Sequence, residues 1–99
     1  MADSITVFGK TYLINYVDQV DSDGSFGECD IRSCEIKILN TMNDAQKKDT
    51  LIHEVLHIIS EELRLGITEK QVSSLAVGLY SVLRENEKMI KNISQQGAI

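Results

Sequence analysis

Tyr12, Ile14 and Tyr16 alternate with Leu13, Asn15 and Val17, a period-two pattern that predicts a strand. Gly9-Lys10 supplies a two-residue hairpin turn ahead of it, with Ile5 to Phe8 as the partner strand. Asp18 to Ser25 is polar and carries the turn signal Asp23-Gly24. Asp21 and Asp23 fit the start of a calcium loop, but no glutamate stands at the twelfth position, so the segment reads as an ordinary loop. Phe26 to Asp30 and Cys34 to Leu39 form a second candidate hairpin around Ile31-Arg32, with Cys34, Ile36 and Ile38 on one face.

Helical spacing takes over after Asn40. Leu51, Ile52, Val55, Leu56, Ile59 and Leu63 recur at intervals of three and four, with Asn43 as N-cap, Gln46 at the capping-box position and Gly66 as the stop. Thr68, with Gln71 three residues on, opens a second helix whose stripe is Val72, Leu75, Ala76, Leu79, Tyr80 and Leu83. Residues 92–99 are polar and unpatterned and read as a frayed tail. The pattern predicts one α+β domain over residues 1–99: a small sheet of three or four strands packed against two main helices.

Composition narrows the partners. The 99 residues suffice for one domain and not two. Fifteen acids against ten scattered bases give a net charge of −5, which repels a phosphate backbone and argues against nucleic acid. No apolar run reaches membrane-spanning length, and Met1-Ala2-Asp3-Ser4 does not open a secretory signal, so a cytoplasmic protein is expected. In that compartment Cys29 and Cys34 are expected to be reduced thiols.

The chemistry lies in His53-Glu54-Val55-Leu56-His57. Two imidazoles one helical turn apart share a face and can reach one Zn2+ ion; they are the only histidines in the chain. Strongly apolar neighbours argue against a merely decorative surface pair. A catalytic zinc normally takes three protein ligands and leaves one position to water, so the third must be a carboxylate or a thiolate. Glu69 is the preferred candidate. Steps of seven and eleven residues bring Ala76 and Tyr80 almost above it, so its carboxylate belongs near the apolar stripe and needs a partner there. The competing role for Glu69 is that of an acidic first-turn residue favoured by the helix dipole. Glu61 is excluded as a ligand, because eight residues of helix put it about 12 Å along the axis from His53. By the same measure Glu69 reaches the histidines only if the first helix ends soon after Ser60 or the second crosses it steeply. Glu54 leaves the helix about 100° from His53, which suits a base beside the metal and not a ligand.

Thr50 to Ile59, preceded by Gly27-Glu28-Cys29-Asp30 and Glu35-Ile36-Lys37-Ile38, resembles the small zincin-like proteins of phages and prophages, related to the ImmA/IrrE metallopeptidase domain and the minigluzincins. Glu69, Val72, Leu75 and Ala76 fit the glutamate helix of that group, and Gly78-Leu79-Tyr80 with Leu83 is similar to the phage members. The resemblance spans about Gly27 to Asn86. It implies a zincin-like fold and a cytoplasmic zinc metallopeptidase that hydrolyses peptide bonds through a zinc-bound water, with Glu54 as general base. It also implies that the strand holding Glu35, Ile36 and Lys37 forms the cleft edge along which a peptide substrate lies. Ser73 stands where relatives carry an acidic or amide residue that steadies a zinc histidine. The interval from His57 to Glu69 is short for a gluzincin, and the N-terminal helix such domains often carry is missing.

The oxyanion donor has no clear candidate among Tyr12, Tyr16, Arg32 and Tyr80. Two alternatives to turnover follow. One is a catalytically idle, zinc-stabilised module that uses the cleft to bind a protein. The other is a structural zinc held by Cys29, Cys34, His53 and His57.

Overall fold

The computed structural model describes residues 3–20 and 25–95. The turn expected at Asp23-Gly24, and the calcium-type acids Asp21 and Asp23, lie outside the described residues. The elements are β1 (Asp3–Val7), β2 (Lys10–Val17), β3 (Gly27–Asp30), β4 (Glu35–Leu39), α1 (Asp44–Leu63), α2 (Glu69–Glu85) and α3 (Glu87–Ser94). The four strands form one mixed sheet in the order β1-β2-β4-β3, with β2 and β4 parallel and the two hairpin pairs antiparallel. The expected α+β class is therefore observed.

Alternation along β2 sorts its faces: Tyr12 and Ile14 are buried, whereas Thr11, Leu13 and Asn15 face outward. Ile36 and Ile38 of β4 and Ile58 of α1 complete the core, with Cys34 packed at its margin. The first turn falls one residue earlier than expected. Phe8 and Gly9, at φ 50° and 80°, are its central residues, and Lys10 already pairs with Val7. A two-residue turn of this kind needs positive φ at both positions, and Lys10 is committed to the ladder. The second turn is held by Asp30, whose Oδ1 accepts from the backbone N–H of Arg32 and Ser33.

Both expected capping boxes form, at Asn43 with Gln46 and at Thr68 with Gln71. The stop of α1 is Arg64, in the left-handed region at φ 54°, and Gly66 lies beyond it at φ 64°. Asn92 to Ser94, expected to fray, continue α3; residues 96–99 lie outside the described residues.

Two expectations about layering change. The sheet packs against α1, and α2 packs on α1 without touching the sheet. The deepest meridian of α1 is also not its apolar stripe but Thr50, Glu54 and Ile58, at intervals of four. Gly27 explains this. A Cβ there would sit 2.7 Å from Thr50 Cγ2, 3.0 Å from the Lys37 carbonyl and 3.5 Å from Glu54 Cγ. The missing side chain lets β3 and α1 approach closely over two polar residues. Gly27→Val is accordingly expected to destabilise the fold by about 1–3 kcal/mol through overpacking, measured as a lower midpoint in urea unfolding.

Candidate metal centre

His53 and His57 project from one face of α1, and Glu69 is the first residue of α2, fixed beside the Thr68 cap. Helix α1 runs to Leu63, so an early end near Ser60, one of the two ways in which Glu69 was expected to reach the histidines, does not occur. Glu69 still reaches back because residues 64–68 are not helical and five extended residues span up to roughly 17 Å, more than the return requires. His53 Nε2 lies 2.6 Å from Glu69 Oε1, His57 Nε2 lies 2.9 Å from Glu69 Oε2, and the two Nε2 atoms are 3.2 Å apart. One ligand atom from each residue falls within 4.8 Å of the others, so the three could together hold a metal ion. Two imidazole nitrogens and a carboxylate oxygen form a donor set that zinc accepts.

Glu69 is solvent-facing. Its side chain is 69% exposed, so the carboxylate lies at the mouth of the site and not against a core face. The histidines draw it in, not the apolar stripe. Glu54 is the buried acid, only 5% exposed. Burial is the main force raising its pKa, with Glu69 and Glu28 adding to it, while His57 and a hydrogen bond donated by the Cys29 thiol oppose it. The thiol in turn is pushed up to about 12, chiefly by burial and then by the Glu54 charge.

A cleft of about 660 Å³ joins these groups; its lining includes His53, Glu54, His57, Glu69, Gly27 and Cys29. Ser73 lines the cleft as well, yet no hydrogen bond links it to either imidazole, so the steadying role implied for this position is not observed. The strand of Glu35, Ile36 and Lys37 is not the cleft edge. β4 is bonded on both sides, to β2 and to β3, because Ile36 and Ile38 bury completely in the centre of the sheet. The edge beside the cleft is β3.

Cys34 does not join the histidines. Its thiol donates to the Ile31 carbonyl, 3.6 Å away, and the only metal-competent group among the described residues excludes both cysteines. Tyr12, Tyr16, Arg32 and Tyr80 are absent from the cleft lining, and Tyr12 is buried in the core. The partnership of Cys29 with Glu54 was not legible in the sequence, since no local spacing links a strand residue to a helix residue 25 positions on. No family model, curated protein or solved structure matches this chain.

The raised pKa of Glu54 sets a pH dependence for the metal-free protein. The folded state holds this proton more tightly than the unfolded state, so Glu54 costs no stability below the ordinary carboxylate range and an increasing amount as pH rises through its folded pKa. Thermal melts with chelator should show Glu54→Gln melting above the parent at pH 7, the gap closing near pH 4. A gap of equal size at both pH values would contradict this reading.

Proposed function

We propose that the chain is a zinc-dependent metallopeptidase-like hydrolase of the zincin-like type, with His53, His57 and Glu69 as ligands and Glu54 as general base. The observation that carries the reading is the convergence of two imidazole nitrogens and a carboxylate beside a separate, buried carboxylate in one cleft. Zinc bound there would polarise a substrate carbonyl and lower the pKa of a coordinated water towards neutrality. Glu54 takes a proton from the attacking water and returns it to the leaving amine. A carboxyl whose proton affinity burial has raised is better matched to that shuttle near neutral pH than a solvated one. An extended peptide would add to edge strand β3, its backbone pairing there and its scissile carbonyl turned towards the ligands.

A second reading, a zinc-loaded module that binds a protein without cleaving it, draws support from the cleft lining, which contains no Lys, Arg or Tyr to hold an oxyanion.

Metal analysis and a peptide-library assay separate the readings. The hydrolase should hold one zinc per chain, and Glu54→Gln should retain it while kcat/KM falls by roughly 10²–10⁴. Absence of cleavage in both proteins, with zinc present, would favour the binding module. Glu69→Ala should weaken zinc by more than the ~10–100-fold that loss of a supporting residue causes. Unchanged affinity would remove Glu69 from the site.

A further inference from the structure

Four acidic residues line the cleft, Glu28, Asp49, Glu54 and Glu69, and no Lys or Arg does. Glu54 and Glu69 are taken up by the proposed metal chemistry. Asp49 is not. It is half-buried, yet it belongs neither to the metal-competent group nor to any side-chain hydrogen bond or ion pair among the described residues. It stands four residues before His53 on α1, one turn or about 6 Å along the axis, and so on the same face as the histidines. A carboxylate held part-way out of water with no donor keeps its charge at a cost, and a cation entering the cleft relieves it.

Phe26 adds an independent observation. It lines the same cleft, immediately precedes edge strand β3, and leaves 58% of its surface exposed. Its backbone is fixed to the sheet, because its carbonyl accepts from the Leu39 N–H. The close approach at Gly27, where a Cβ would sit 2.7 Å from Thr50 Cγ2, brings the neighbours of Gly27 and the neighbours of Thr50 to one end of the cleft. Phe26 and Glu28 flank the glycine, and Asp49 flanks the threonine. An exposed aromatic ring beside carboxylates suits the apolar stem and cationic head of a lysine or arginine side chain. On the α2 wall the lining residues Ser73 and Val77 are neutral.

We propose that this end of the cleft is a specificity subsite for a basic side chain of an extended peptide, with Asp49 selecting the charge and Phe26 supporting the stem. The inference rests on the reading of the cleft as a peptide site. A peptide added to β3 advances about 3.3 Å per residue, so the offset of about 6 Å between His53 and Asp49 puts the selected residue about two positions from the bond at the metal centre. An acidic side chain at that position meets Asp49 and Glu28 with no basic residue in the lining to receive it, and the net charge of −5 opposes its approach. The same field draws a basic peptide in.

The test is fluorescence anisotropy on the zinc-loaded full chain, with Glu54→Gln added so that bound peptide is not cut. The probes are three labelled, end-blocked alanine peptides whose central residue is arginine, its neutral isostere citrulline, or glutamate. The arginine peptide should bind ~10-fold or more tightly than the citrulline peptide, and the glutamate peptide most weakly. Salt at about 0.5 M should remove most of that gap. Asp49→Asn should bring the arginine and citrulline peptides within ~2-fold of each other with the thermal melt unchanged, whereas Phe26→Ala should weaken both peptides. Equal binding of arginine and citrulline peptides by the parent, or no binding of any peptide, overturns the proposal. So does an arginine preference that persists in Asp49→Asn, since the selecting charge must then lie elsewhere. The same peptides offered to the chain with Glu54 intact separate this inference from the hydrolase reading. Selective binding without cleavage sinks only the hydrolase, and cleavage indifferent to the central residue sinks only the subsite.

Discussion

Three electron-rich atoms share one small volume at the mouth of the cleft: two imidazole nitrogens from one helix and a carboxylate oxygen from the next. Uncompensated lone pairs do not crowd together in this way unless protons or a cation lie between them, so this convergence is the constraint on which the rest of the structure bears. Meeting it requires α1 to be held rigidly. Among the described residues, α1 is the one element that contacts both the sheet and α2. Its inner face is pinned against β3 through the gap left by Gly27, and its outer face receives α2. A shift of α1 on the sheet would move both histidines and Glu54 together.

One turn of α1 therefore has two jobs. His53 and His57 look out into the cleft, and Glu54, about 100° around the helix from His53, looks inward towards β3. Burying a carboxylate opposes folding, and a single thiol is a weak donor to set against that cost. The same burial raises the proton affinity of the carboxyl.

Helix α2 is divided around its circumference. One side packs on α1, a second contributes Glu69, Ser73 and Val77 to the cleft, and a third, with Leu75, Leu79 and Val82, faces outward. Nearly every turn of this helix contributes to the cleft lining, to packing or to the surface, and its outward face is not covered by other described residues.

Local spacing determined much of this protein from the sequence alone: four strands in two hairpins, two helices with capping boxes at Asn43 and Thr68, and a histidine pair on one helical face. These depend on residues within a turn or a strand of one another, where backbone periodicity alone decides what shares a face. Even there, the first turn settled on Phe8-Gly9, because positive φ and strand pairing compete over single residues. Only the tertiary structure decided that β4 would be interior and β3 the edge, that Thr50 and Glu54 would take the deepest meridian of α1, and that Cys29 would meet Glu54. Glu69 shows the division most clearly. The sequence placed it correctly beside the histidines but for an incomplete reason, since its carboxylate is solvent-facing. What brings it there is the path of residues 64–68 and the packing of two helices, and contacts between distant segments are set by the whole core rather than by any local repeat.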